Sequence, residues 1–379
     1  MKLLIHDLSD EQFQKFRTEY SDWHIISDNG LIRPCIGCFS CWNRTPGKCV
    51  VKDGYDDMGY LVHQAEEIRI ISRYTYGGFS GFVKNVIDRC LGYVLPQFEI
   101  TEGETHHQKR YDEDKPFTFI FYGEKLNDQQ KRDAERYVKA MCMNFRCHVR
   151  EVFFEETEDD YVPEKRTLPE GGKTVLLVGS MRNNGNSSKF ADELNKMLDN
   201  QAEKIFISRY LNNLDLLVEE LSKVRNIVLC MPLYVDGLPS QVIRLFEIFE
   251  KKYEGSGKKI YVLTNMGLYE KQQLVNLFTA VSLWSRKMGF EYGGGLGMTA
   301  GELIGVLIQK IPFRIGPSSR MEKGMRKLAD AIRSDKTIVD IYEEPHHFPR
   351  SLYIMIANKS WNIQARKNGI DPKDLYRKL

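Results

Sequence analysis

Four of the eight cysteines fall between positions 35 and 49, as Cys35, Cys38, Cys41 and Cys49 in the spacing C-x2-C-x2-C-x7-C. Three thiolates separated by two residues on one turn can wrap three irons of a cubane while a fourth reaches back. Structural zinc sites pair two separated C-x2-C knuckles, so a run of three plus one favours a [4Fe–4S] cluster over zinc. A redox-active thiol set is the other alternative. A stable disulfide framework is disfavoured, because no export signal is legible and the cytosolic thiol pool opposes one.

A second site is written as strand, polar turn, helix. The apolar run Thr174–Val178 is followed by Gly179-Ser180-Met181-Arg182-Asn183-Asn184-Gly185-Asn186-Ser187-Ser188-Lys189 and then an amphipathic stretch. Free N–H groups of a first helical turn, the positive end of its dipole, and donors from Ser180, Asn186, Ser187 and Ser188 together make an anion site. Arg182 can add a charge-assisted bond. The loop lacks both the dinucleotide glycine spacing and a Gly-Lys-Ser/Thr ending, so a monophosphate such as that of FMN suits it. The plainer alternative is a helix cap with spare polar residues.

Both sites need a scaffold, and the chain has material for one. Of 379 residues 42% are hydrophobic and 28% charged, enough for two domains with real cores. The net charge of +2 gives no electrostatic reason to bind nucleic acid or an anionic membrane. No apolar run reaches the roughly 18 to 20 residues of a spanning helix, and a soluble cytoplasmic protein is expected. Strand-length apolar runs alternate with helical patterns, which predicts α/β domains with helices on both faces of a parallel sheet. The pattern predicts strands near residues 2–5, 23–27, 68–74, 117–122 and 148–154, then near 174–178, 204–208, 226–230, 259–264 and 290–292. Each half has five. The acidic, Pro/Gly-containing stretch from Glu155 to Gly172 predicts the boundary between a domain over 1–160 and one over 173–335. A tail over 336–379 follows, with a helix around Trp361 packed on the body or on a second subunit.

The halves also resemble each other weakly after their third strands, where Ser72–Gly81 aligns with Cys230–Pro239. Each places an aromatic and a glycine beyond the carboxyl end of a central strand, where open α/β sheets bind ligands.

The loop at 179–189 resembles that of the NADPH-dependent FMN reductase family of flavodoxin-like proteins, and Pro232-Leu233-Tyr234 resembles its Pro-x-Tyr segment. The resemblance implies two flavodoxin-like doubly wound five-stranded parallel-sheet domains in tandem. By position it gives phosphate contacts to Ser180, Arg182, Asn186, Ser187 and Ser188. Pro232, Leu233, Tyr234, Val235 and Gly237 would line the isoalloxazine, closed on the other side by Asn265-Met266-Gly267. Met181 stands where many family loops have proline. The Cys35–Cys49 segment resembles the compact motif of the iron–sulfur flavoproteins, a branch of the same family, with a longer final gap.

Division of labour is the main expectation. The first half has the cysteines but begins Asp7-Leu8-Ser9-Asp10-Glu11, placing carboxylates where a flavin phosphate would sit. The second has the phosphate loop and only Cys230. The resemblance implies an FMN-dependent oxidoreductase passing electrons between NAD(P)H or a ferredoxin-like carrier, FMN and the cluster, possibly as a homodimer, with the cysteine loop packed toward a flavin site. No catalytic side chain is nominated, because the cofactor carries that chemistry. The alternative is a non-enzymatic electron carrier or redox-responsive protein with a zinc or thiol loop. His106-His107 reads as a solvated loop, Gly293–Gly297 as a turn near the flavin edge, and Cys142 and Cys147 as core thiols.

Overall fold

Buried parallel strands must be apolar on both faces, which is how Ile68–Ile71, Val175–Val178 and Ile227–Met231 read. A computed structural model describes residues 1–157, 165–169, 171–255 and 257–379. The chain divides into two units, one of Met1–Asp160 with Ile354–Leu379 and one of Tyr161–Tyr353.

In chain order the first unit contains β1 (Lys2–His6), α1 (Asp10–Gln14), β2 (Trp23–Ile26), α2 (Ser40–Asn43), α3 (Met58–Gln64), β3 (Glu67–Arg73), α4 (Gly81–Arg89), β4 (Val94–Thr101), β5 (Glu104–Lys109), β6 (Pro116–Gly123), α5 (Asp128–Phe145) and β7 (His148–Glu156). Its parallel sheet has the order β2-β1-β3-β6-β7, the 2-1-3-4-5 winding of flavodoxin-like folds. The second unit contains β8 (Arg166–Thr167), β9 (Thr174–Val178), α6 (Asn186–Met197), β10 (Glu203–Phe206), α7 (Leu214–Ser222), β11 (Asn226–Pro232), α8 (Ser240–Lys252), β12 (Tyr253–Glu254), β13 (Lys259–Asn265), α9 (Val275–Met288), β14 (Glu291–Met298), α10 (Gly301–Leu307), α11 (Ser319–Arg333) and β15 (Ile341–Glu343). Its sheet runs β10-β9-β11-β13-β14-β15. That is the same winding with a sixth strand where five were expected.

On α6, Phe190, Ala191 and Leu194 recur at helical spacing. Met321, Met325, Leu328 and Ile332 do the same on α11, and both stripes pack into the core with Val228, Tyr261, Leu263 and Leu296.

Four expectations need correction. His106-His107 lies in β5 of an antiparallel β4–β5 hairpin; His106 is 1% exposed and bonded through Nδ1 to Asn144 Oδ1 at 2.9 Å. The polar sequence concealed a strand whose polar groups are paired inside. The Gly293–Gly297 run is the middle of β14 rather than a turn. Glycine is depleted in strands, yet here a Cβ at Gly293 would lie 2.5 Å from the buried Tyr261 ring and one at Gly297 2.7 Å from Leu274. Packing demands bare backbone. The residues after 335 form no separate tail: Ile341–Glu343 pairs with β14, and α12 (Arg350–Lys367) leads into Ile354–Leu379 of the first unit. Finally, the internal repeat is shifted by one residue. The bridges Thr75–Gly78 and Tyr234–Gly237 correspond, as do the helix starts Gly81 and Ser240, so Thr75 matches Tyr234.

Candidate functional site

The carboxyl ends of β9, β11 and β13, neighbours in the sheet, carry the three loops that the sequence pointed to. The register sets Val178 beside Cys230 and Pro232 beside Asn265. This is the switch point between first and third strands, where doubly wound sheets bind ligands.

Gly179 leaves β9 with its N–H on Cys230 O at 2.9 Å and its carbonyl held by Gln241 Nε2 at 2.7 Å. Ser180 Oγ accepts the Arg182 N–H at 3.2 Å, closing the turn. The Arg182 side chain is exposed. Gly185 is the N-cap residue of α6, and as glycine it supplies no side-chain cap, so first-turn N–H groups are left for an external acceptor. Ser187 and Ser188 are buried beneath them. Ser187 Oγ accepts from Asn265 Nδ2 at 2.9 Å, and Ser188 Oγ lies 3.4 Å from Lys204 Nζ. The Asn186 side chain packs against α10, where a Cβ at Gly305 would sit 2.2 Å from Asn186 Oδ1.

The second loop is a tight hairpin. Tyr234 and Gly237 exchange backbone bonds at 3.1 and 2.9 Å, and Val235 (φ 38°) and Asp236 (φ 57°) are both left-handed. A β-branched residue in that region is strained, and such strain gathers at binding sites. Leu233 N–H donates to Asn265 O at 2.9 Å, fixing this loop to the third. Pro232, Leu233, Tyr234 and Val235 are half-buried. At Gly267 a Cβ would meet open space, and its carbonyl accepts from Tyr353 Oη. The structure thus gathers Ser180, Ser187, Ser188, Asn186, the 232–237 loop and Asn265 at one sheet edge.

The corresponding edge of the first unit is closed to anions. Ser9 forms a capping box with Gln12, with Oγ accepting the Gln12 N–H at 3.2 Å and Gln12 Oε1 accepting the Ser9 N–H at 2.9 Å. The Asp7 carboxylate takes the Arg73 N–H at 3.1 Å. Burial pushes the Asp7 carboxyl up to about 6 against hydrogen bonds that hold it down.

The cysteine loop begins with two left-handed residues, Gly37 (φ 60°) and Phe39 (φ 58°). They turn backbone N–H groups onto sulfur: Ser40 N–H donates to Cys38 Sγ at 3.4 Å, and Gly37 N–H to Cys35. Arg89 anchors the rear of the loop, bidentate on Asp53 at 2.8 and 3.0 Å and bonded to Arg33 O and Val51 O. Cys35, Cys38, Cys41 and Cys49 are half-buried and free of disulfides. Burial, then neighbouring charge on Asp88, Cys49 and Cys38, pushes the Cys35 thiol up to about 12; Cys41 is raised by burial, then by Cys35, Cys49 and Cys38. The four are electrostatic neighbours. Even so, among the described residues no three His, Cys, Asp or Glu side chains form a group able to hold a metal ion. The expected cluster therefore has no ready ligand set here, and no step is derived through it. No described helix is long and apolar enough to cross a membrane.

The sequence reading missed Asn265's bond to Ser187 and the role of Tyr353. The first pairs residues on different strands' loops, and the second lies in a segment that read as tail.

No protein-family model matches the chain, and no curated protein matches it. Among solved structures it is similar to the Trp repressor binding protein from Bacillus subtilis, at 19% identity over 34% of this chain and 84% of that one, with a TM-score of 0.29. It is also similar to azoreductase from Bacillus anthracis str. Sterne, at 11% identity, 43% and 100% coverage and a TM-score of 0.32. A third likeness is to the NAD(P)H:quinone oxidoreductase from Methanothermobacter marburgensis, at 11% identity, 47% and 100% coverage and a TM-score of 0.31.

Proposed function

We propose that the second unit binds FMN and that the chain is an FMN-dependent oxidoreductase taking electrons from NAD(P)H or a ferredoxin-like carrier. The single observation that carries this reading is the uncapped N-terminus of α6 at the sheet's switch point, ringed by the buried hydroxyls of Ser187 and Ser188. The residues fit a monophosphate. N–H groups of the first α6 turn and the hydroxyls of Ser180, Ser187 and Ser188 would bind it, with Asn186 beside them and Arg182 adding charge from the exposed side. The half-buried Pro232–Val235 segment with Gly237, and the Asn265–Gly267 turn, would hold the ring system and keep water from its face. Bound flavin supplies two-electron hydride acceptance with release of single electrons.

A [4Fe–4S] cluster on Cys35, Cys38, Cys41 and Cys49 is the finer part of this proposal. What supports it is the spacing and the two N–H···S bonds of the left-handed turns, a feature that tunes clusters.

The test is anaerobic purification, with the visible spectrum, iron and sulfide per chain, and NAD(P)H oxidation with added acceptors. Bound FMN with turnover supports the enzyme. Bound, reducible FMN without turnover supports the electron carrier, and failure to bind added FMN overturns the reading. Zinc without iron or sulfide removes the cluster.

A further inference from the structure

We propose that the C-terminal segment Ile354–Leu379 is a strap that holds the cysteine loop closed and sets how far its thiols are open to solvent. The contacts fall on loop residues adjacent to the cysteines. Trp361, 7% exposed, meets Phe39 edge-on at 5.5 Å and Trp42 at 5.3 Å, and those two rings stack on each other at 5.3 Å. Phe39 follows Cys38, and Trp42 follows Cys41. One turn beyond, Asn43 Nδ2 reaches Gln364 Oε1 at 3.4 Å, and Asn368 Nδ2 donates to Asn43 O at 3.1 Å. At the far end of the loop Gly47 packs on the last residue, since a Cβ there would lie 2.8 Å from Leu379 Cδ1.

A buried cation fixes the end of the strap. Arg110, 3% exposed, donates through Nη1 to Leu375 O at 2.7 Å and Arg377 O at 2.8 Å, and through Nε to Gly92 O at 2.8 Å. No carboxylate is paired with it among the described ion pairs, so carbonyl oxygens do the solvating, and two of them come from the strap. A buried guanidinium that lost these acceptors would be strongly destabilised. The segment is therefore bound to the body by a group that needs it, while its aromatic residue sits on the loop. Opening the strap uncovers the loop without unfolding the sheet, the kind of local event that leaves core amides and thiols protected. None of this depends on what the thiols hold.

Native-state alkylation of the purified full chain by iodoacetamide, read cysteine by cysteine by peptide mass mapping, tests the strap. In Trp361→Ala the modification of Cys35, Cys38, Cys41 and Cys49 should accelerate roughly tenfold, while Cys90, Cys142 and Cys147 of the same unit keep their rates. An unchanged rate at the loop, or an equal rise at all seven, overturns the proposal. Should Trp361→Ala fail to fold, Asn368→Ala decides, because it removes only the bonds to Asn43. A selective rise at the loop supports the strap, and no rise rejects it.

Discussion

The side-chain amide of Asn265 donates to the Ser187 hydroxyl across 2.9 Å, tying the end of β13 to the first turn of α6. Both groups are buried, so the bond fixes the distance between the phosphate loop and the turn proposed to close the ring site. Asn265→Ala should cost about 1 kcal/mol of stability and weaken FMN binding roughly five- to tenfold, by loosening both ends of the ligand at once. Titration of the apoprotein with FMN, followed by flavin fluorescence, checks this. Unchanged affinity would separate Asn265 from the site.

The contrast between Gly185 and Ser9 yields a sharper experiment. One unit leaves its helix start uncapped and the other fills it with its own side chains. Ser187→Asp would place a carboxylate in the α6 cradle, where the helix dipole favours it by about 0.3–1 kcal/mol, and it would repel a phosphate. FMN affinity should fall by roughly 100-fold or more, whereas riboflavin, which has no phosphate, should lose far less. Equal losses for the two ligands would mean that the cradle does not read phosphate.

Much of this architecture was legible because parallel strands are short apolar runs, and the ten expected strands all exist within a few residues. What stayed hidden was set by partners distant in sequence. Gly293–Gly297 reads as a turn until Tyr261 and Leu274 occupy the space its side chains would need. His106 reads as solvated until Asn144, 38 residues away, meets its ring. The phosphate loop was visible because strand, turn and helix are contiguous. The clamp of Tyr353 on Gly267 joins residues 86 apart and leaves no local signal.

Arg89 and Asp53 hold the cysteine loop from behind, and both side chains are almost wholly buried. Burial pushes the Asp53 carboxyl up, but the Arg89 guanidinium with the Arg33 and Tyr55 N–H groups outweighs it and leaves the group below its usual range. Arg89→Ala strands a buried carboxylate and should destabilise the first unit by about 3–5 kcal/mol. Replacing both as Asp53→Asn with Arg89→Met should recover much of that loss, because the desolvated charge goes with its partner. Denaturant unfolding of the two variants measures the difference. A double variant as unstable as the single one would mean that the carbonyls of Arg33 and Val51, not the ion pair, carry the anchor.

His6 supplies a prediction with a sign. Its ring is buried, stacked on Phe13 at 4.4 Å, and neither nitrogen has a hydrogen-bond partner. Burial lowers it to about 4 despite the nearby Asp10 carboxylate. As pH falls from about 6.5 toward 4, the unfolded chain takes up a proton that the folded chain refuses, so this residue removes stability by up to about 3 kcal/mol. Asp7 works the other way: its carboxyl is raised to about 6, so the folded chain binds the extra proton below that pH and recovers stability on acidification. His107, also lowered to about 4 by burial, adds to the His6 trend. His6→Phe keeps the stack on Phe13 and removes two unpartnered nitrogens, so at neutral pH it should stabilise the first unit by about 1–3 kcal/mol. Its advantage over the parent chain should widen by a further 2 kcal/mol or so between about pH 7 and pH 5. Urea unfolding at the two pH values reads this directly, and an advantage that stays constant or shrinks on acidification would assign the acid sensitivity to other groups.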